Sequence, residues 1–289
     1  MRVVVLGSGT SMGVPVLGCS CKVCTSSDPR DKRTRVAAVI DGGDGGRILI
    51  DTPPELRLQL LSADVGTVDA VLFTHDHADH VHGIDDLRAI SQRNGELPLY
   101  GPQDTLDRIV RRFDYIFDPA VVAPEGTYKP DLSPSPLKPG EPVKIAGIDV
   151  LPIELSHGVM TVFGYRFGPF AYLTDVKSVP DDALASLSGV RVLVSTPCST
   201  GPTPRICRFR RPWRSRRGWG PSKLISRTSP TGTAIRIFPT GFRRASSQRT
   251  MVSRLPSELL WGATVFFDWM RITLKRSPGA RPRRRGIYE

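Results

Sequence analysis

Seven consecutive residues, Thr74-His75-Asp76-His77-Ala78-Asp79-His80, gather three imidazoles and two carboxylates directly after an apolar run over 70–73. A strand that stops at such a cluster projects its side chains into one shared space at its carboxyl end. Neutral imidazole nitrogens and carboxylate oxygens are the donor set for Zn²⁺, Mn²⁺ or Fe²⁺. A two-ion site needs more donors than one strand end supplies. His157, in Leu155-Ser156-His157-Gly158, and Asp175, in Ala171-Tyr172-Leu173-Thr174-Asp175, each follow a further apolar run and are the candidates. Taken alone, either reads equally well as a polar strand end or a helix cap.

A second donor group lies in Cys19-Ser20-Cys21-Lys22-Val23-Cys24. These thiols are too close together to staple a secreted fold, and in a reducing compartment such a cluster reads as metal ligands. Zn²⁺ in a structural site takes four donors, so a fourth is needed. Three neighbours of the His cluster read as bland: His82 as a surface or capping residue, Asp85 and Asp86 as the exposed first turn of a helix, where negative charge is favoured.

The elements that must carry these residues alternate short β-branched runs with amphipathic stretches. Strands are expected over 3–7, 36–40, 47–51, 70–74, 148–153, 162–167, 170–174 and 190–194, and helices starting at Pro53, Gly83, Pro102 and near Pro180. The stretch 121–142 is rich in proline and reads as an extended flap rather than a core element.

Charge divides the 289-residue chain unequally: residues 1–194 carry 19 basic and 25 acidic side chains, residues 195–289 carry 21 and 3. The net charge of +12 therefore belongs to the last third, which excludes a uniformly basic nucleic-acid-binding domain. Arg2 leads straight into Val3-Val4-Val5-Leu6 and a Gly-rich turn, a first strand rather than a leader. The apolar stretch 259–270 contains Asp268 and falls short of the ~20 residues a spanning helix needs. A soluble cytoplasmic protein is the expectation.

Several separate motifs within 1–194 resemble those of the metallo-β-lactamase-fold hydrolases, whose defining motif is H-x-H-x-D-H. They are Gly7-Ser8-Gly9-Thr10-Ser11-Met12-Gly13-Val14-Pro15, the Cys19/Cys21/Cys24 cluster and Ile50-Asp51-Thr52-Pro53-Pro54. The run Thr74 to His80 with Gly83-Ile84-Asp85-Asp86-Leu87-Arg88, then His157-Gly158 and Leu173-Thr174-Asp175, complete the set. Within that fold the chain is most similar to the phosphoribosyl cyclic phosphate phosphodiesterases of the carbon–phosphorus lyase pathway. The resemblance implies an α+β, four-layer αββα sandwich over 1–194 with an irregular basic tail over 195–289. It implies His75, His77 and His157 on one divalent ion, Asp79 and His80 on a second, and Asp175 bridging both. Zn or Mn are the expected ions, with one structural zinc on Cys19, Cys21 and Cys24.

The activity implied is hydrolysis of a small cyclic phosphodiester by a metal-bridging hydroxide. Asp79 and Asp76 are the expected catalytic carboxylates, Asp76 acting by orienting a ligand. The loop carrying Ser8, Thr10 and Ser11 would border the substrate. The expected partners are the small phosphodiester itself and a second copy of the chain, with no membrane. An RNA-processing nuclease of the same fold, using the basic tail on phosphates, is the alternative. A catalytically impaired product of a shifted reading frame is a third reading.

That third reading comes from departures after residue 194. The family continues with stretches like D-A-L-x-x-x-P-H-P-T-H, Y-L-T-H-x-x-H and Y-D-G-L, and completes its structural zinc with a C-terminal His, whereas all five His here lie at or before His157. Back-translated and regrouped one base earlier, Thr196, Pro197 and Cys198 admit D, A and L, and Pro202, Thr203, Pro204, Arg205 and Ile206 admit P, H, P, T and H. Ile225, Ser226, Arg227 and Thr228 admit Y, L, T and H, Thr231 a further H, and Thr250, Met251, Val252 and Ser253 admit Y, D, G and L. Three motifs in family order in one alternative frame point to the loss of a base near codon 195, leaving the second ion site short of a ligand.

Overall fold

The computed structural model describes residues 1–176 and 179–195, together with the backbone of Ala234–Ile237 and Met270–Thr273. The regrouped motifs at 196–206, 225–231 and 250–253 lie outside the described residues.

Two sheets face one another. The first has the order β13 (Met270–Thr273), β1 (Arg2–Gly7), β2 (Ala37–Asp41), β3 (Arg47–Ile50), β4 (Ala70–Leu72), β5 (Leu97–Gly101), β6 (Leu132–Pro136). The second has the order β12 (Ala234–Ile237), β11 (Val192–Ser195), β10 (Phe170–Leu173), β9 (Met160–Phe167), β8 (Ile148–His157), β7 (Val143–Ile145). Among the described residues six α-helices complete the body: α1 (Leu56–Ser62), α2 (Ala78–Val81), α3 (Arg88–Asn94), α4 (Gln103–Arg112), α5 (Asp114–Phe117) and α6 (Asp181–Ser186). Two four-residue strands from beyond 195 join the body, β12 antiparallel to β11 and β13 antiparallel to β1. Among the described residues no helix is long and apolar enough to cross a membrane.

The four layers follow from the period of two along each strand. Val3, Val5, Ala38, Ile40, Ile48, Ile50, Ala70 and Leu72 point from the first sheet into a layer shared with Phe163, Tyr165, Phe167, Phe170 and Tyr172 of the second. Their neighbours Val4, Leu6, Val39, Leu49 and Val71 face the other way, onto Leu56 and Leu60 of α1, Ile90 of α3, and Leu106 and Ile109 of α4. On the far side Ile153, Leu155, Val162, Ala171 and Leu173 pack against Ala183 of α6. The strands β1 to β4 and β10 are apolar on both faces because their sheets are covered twice, which is why these segments read as continuous apolar runs. The expected αββα sandwich is therefore what the chain builds.

Several strands depart from expectation, β12 and β13 among them, which pair with the body from a stretch expected to be irregular. The proline-rich stretch 121–142 is not wholly a flap: β6 runs parallel to β5 within it, pairing Leu97 with Leu132 and Gly101 with Pro136. Pro134 and Pro136 lack ladder donors, and they are tolerated because β6 is the last strand of its sheet. The short strands β5 and β7 are likewise additions to the expected set.

Candidate metal centre

The β3 and β4 strands are parallel neighbours, so the chain leaves both at the same edge. There the two sheets are fastened to each other. Phe163 donates its N–H to the Thr74 carbonyl at 2.9 Å, and the Tyr165 hydroxyl donates to the Phe73 carbonyl at 2.5 Å. Past Thr74 no regular element intervenes before α2, and His77, just ahead of that helix, has extended backbone (φ −64°, ψ 150°). Two residues apart in extended chain share a side, which sends His75 and His77 one way and Asp76 the other. Asp79 and His80 lie in α2, which is tied to the loop after β3: Thr52 donates to the His80 carbonyl (2.7 Å) and Gly83 to the Thr52 carbonyl (2.8 Å). A side chain at Gly83 has no room, since its Cβ would fall 2.1 Å from the Pro53 carbonyl oxygen.

From the second sheet come His157, the last residue of β8, and Asp175, two residues past β10. The result is two donor groups, each with its atoms within 4.8 Å of one another: His75, His77, His157 and Asp175, and Asp79, His80 and Asp175. Asp175 belongs to both. Its Oδ2 lies 3.0 Å from His80 Nε2 and 3.5 Å from His75 Nε2, while Asp79 Oδ2 is 3.4 Å from His80 Nε2.

Whether this set suits a cation can be read from what its donors lack. Nδ1 of His157 is buried with no hydrogen-bond partner, and Nε2 of His75 faces Nδ1 of His77 at 3.0 Å. Lone pairs converging on one space, with a carboxylate at its rim, fit a divalent ion. Burial, reinforced by the charge on His80, lowers the His75 pKa to about 2, which keeps that imidazole neutral and able to ligate.

His80 is set differently. Burial disfavours its charge, but Asp51 foremost, with Asp175 and Asp79, outweighs this and raises its pKa well above 6.5. Asp51 is fully buried and grips His80 Nδ1 through Oδ2 at 2.8 Å. It also accepts the Thr74 N–H at 2.8 Å and hydroxyl at 2.9 Å. A carboxylate in that role fixes the proton on Nδ1 and leaves Nε2 directed at Asp175 and Asp79, the outer support usual for a ligating imidazole. Burial likewise disfavours charge on Asp175, yet its hydrogen bond from His80 outweighs this and holds it well below the usual carboxylate range.

The structure thus brings together His75, His77, Asp79, His80, His157 and Asp175, and leaves Asp76 outside both donor groups. Its carboxylate turns away from the donors and binds Arg112 Nη2 at 2.9 Å and Arg108 Nη1 at 3.3 Å. Asp51, to which the sequence assigned no role, is the carboxylate bound to His80 Nδ1. The available signal was its position, an acid immediately after a strand adjacent to the one bearing the His cluster. His82 is exposed and edge-on to Phe113, and Asp85 accepts from the Tyr115 hydroxyl, as bland surface roles require. Thr10 and Ser11 sit exposed on the loop after β1, with Ser8 half-buried beside them. That loop is held by Gly9 N–H on the Thr34 carbonyl (2.7 Å) and Arg35 Nε on the Ser11 carbonyl (2.8 Å).

The Cys19, Cys21 and Cys24 sulfurs also lie within 4.8 Å of one another. Backbone hydrogen bonding at Cys24, then the Cys19 thiol, lowers the Cys21 pKa to about 7, so thiolate is accessible near neutrality.

Residues 46–206, more than half of the chain, match the family model described as a beta-lactamase superfamily domain. An octanoyltransferase of Porphyromonas gingivalis is 44% identical over 193 residues, 67% of this chain and 38% of that protein. A coenzyme PQQ synthesis protein B of Methylobacterium radiotolerans is 34% identical over 125 residues, 38% of this chain and 40% of that protein. The chain thus spans about two fifths of the length of these curated relatives. Among solved structures, a diphosphatase of the PhnP family superposes with a TM-score of 0.59 at 37% identity, covering 67% of this chain and 73% of that one. Donors converging from two sheets, in a sandwich that superposes on such a hydrolase, agree with the family match: the chain belongs to the beta-lactamase superfamily and has its metallo-hydrolase fold.

Proposed function

We propose that the chain is a metal-dependent hydrolase of phosphodiesters, acting on a small cyclic phosphodiester of the phosphoribosyl type. The observation that carries this reading is Asp175, shared between a four-donor group and a three-donor group. Such sharing suits two divalent ions, Zn or Mn by the nitrogen and oxygen donors, held by His75, His77, His157 and Asp175 on one side and Asp79, His80 and Asp175 on the other. When bound, a pair of ions supplies Lewis acidity toward an anionic phosphoryl group and activates water near neutral pH.

The chain's own residues prepare that space. Asp51 and Thr74 hold His80 by its Nδ1 edge, so that Nε2 stays with the carboxylates. The buried His75 stays neutral, and Asp175 stays ionised with a quarter of its side chain open to solvent. An anionic diester suits this arrangement, because divalent ions held by these donors would supply positive charge to match the charge that grows on its phosphoryl oxygens. The diphosphatase relative supports phosphoryl chemistry as the class. The octanoyltransferase name describes a protein of which this chain spans 38%, and it is not carried to this site.

The test is a panel: metal analysis of the purified chain, then hydrolysis of bis(p-nitrophenyl) phosphate, a cyclic phosphodiester, a dinucleoside diphosphate and a structured RNA. Metal-dependent turnover of the cyclic diester above the others is expected. Preference for RNA would favour a nuclease, the reading that the basic stretch 195–289 keeps open. Preference for the diphosphate would place the chemistry on anhydrides instead.

A further inference from the structure

One residue separates the ligands His75 and His77, and it is held by a helix that supplies no ligand. Arg112 donates through Nη2 to the Asp76 carboxylate at 2.9 Å and through Nη1 to the Asp76 backbone carbonyl. Arg108 donates to the other carboxylate oxygen at 3.3 Å. The two arginines are four apart on α4 and so share a face. Leu106 and Ile109, 1% and 0% exposed, seat that helix against the first sheet.

Global stability is a poor account of this convergence. The guanidinium side chains are 46% and 38% exposed, so solvent screens much of their attraction. Asp76, by contrast, is buried, its side chain 8% exposed. Without the arginines its carboxylate would be a buried charge with no partner, a state avoided by moving toward the nearest cation. The nearest place for a cation is the donor group one residue away on either side. An unpaired Asp76 is therefore a competing ligand, and swinging it inward would turn His75 and His77 out of register, because extended chain alternates its sides.

We propose that Arg108 and Arg112 are positioning residues for the metal centre, a clamp that holds Asp76 outward and thereby fixes His75 and His77 toward the ion. The proposal rests on the metal-binding reading above. Arg112 carries the larger share, because only its planar fork reaches carboxylate and carbonyl together, which a lysine cannot do.

The experiment is a cobalt(II) titration of the full chain, followed by visible d–d absorption, with thermal melting of the metal-free proteins alongside. Arg112→Met should weaken the imidazole-rich binding step by roughly 10- to 100-fold, the range for supports of metal ligands. Arg108→Met should do less. Arg111→Met, at an exposed neighbour on the same helix, should change nothing. Adding Asp76→Asn to Arg112→Met should recover part of the loss, since the stranded charge is then gone. A role limited to helix packing would show as a lower melting temperature that Asp76→Asn leaves unrepaired. An Arg112→Met protein that binds cobalt like the wild type, or whose loss Asp76→Asn leaves untouched, overturns the clamp while the metal reading stands. A wild-type chain that takes no cobalt overturns both.

Discussion

Asp51 and Asp175 share a conformation as well as a ligand. Each follows a strand, each has positive φ (60° and 53°), and each approaches His80, one at Nδ1 and the other at Nε2. Left-handed backbone is unusual for a residue with a side chain, though Asp and Asn tolerate it best. At Asp51 this conformation lets the carboxylate reach sideways to Thr74 and His80. An asparagine there would keep the backbone and shape while losing charge, so Asp51→Asn separates the two. Metal affinity at the Asp79, His80 and Asp175 group should fall by roughly 10- to 100-fold, with the fold intact. Asp51→Ala breaks a fully buried pair, leaves Thr74 and His80 without their acceptor, and should cost about 3 kcal/mol or more of stability. Urea unfolding beside metal titration checks both variants. Unchanged metal affinity in Asp51→Asn would show that charge on Asp51 does not support His80.

At the scale of elements, legibility tracked how local each signal was. The His cluster was readable because its donors are contiguous, whereas His157 and Asp175 follow apolar runs that fit a strand end or a cap equally well and were assigned through the family resemblance. The Asp76 pairs with Arg108 and Arg112 span 32 and 36 residues, and α4 by itself reads as an ordinary solvated helix. The β6 strand was hidden by its prolines, since only membership of a sheet edge makes them acceptable. Gly164 is another such case, an unremarkable glycine in β9 until its neighbours are known. A Cβ there would lie 2.3 Å from Leu173 Cδ2 and 2.8 Å from Leu155 Cδ1. Leu173 precedes Asp175 by two residues and Leu155 precedes His157 by two, so crowding at Gly164 presses on both strands that deliver second-sheet ligands. Gly164→Ala should destabilise the fold by about 1–3 kcal/mol and loosen the His157-containing group with it. Thermal unfolding and a metal titration read this directly. Full stability with full metal affinity would mean that β8 and β10 part without moving the ligands.

Across the whole molecule, the same division that makes four layers makes the centre dependent on both sheets. The first sheet delivers four of the donors, His75, His77, Asp79 and His80, in one stretch, the second delivers His157 and Asp175, and the shared layer of Phe163, Tyr165 and Tyr172 sets the distance between them. Among the described residues the two donor groups are unequal, four donors against three. An ion short of one protein ligand is held more weakly, so the chain as written should take one ion firmly and a second loosely. The regrouped frame changes that count, because it admits His where Thr228 now stands, in the Y-L-T-H stretch that the resemblance associates with the second ion. It also admits two His within the P-H-P-T-H stretch at 202–206, where a proton donor or phosphate contact is typically worth about 10² to 10⁴ in rate. Two full-length proteins decide the matter, one from the present frame and one read a base earlier from codon 195. Mass-spectrometric metal content should approach one ion per chain in the first and two in the second, with hydrolysis of bis(p-nitrophenyl) phosphate rising in step. Equal metal content and equal turnover would show that the described residues already complete both sites, and that the frame of residues 195–289 is of no consequence to the centre.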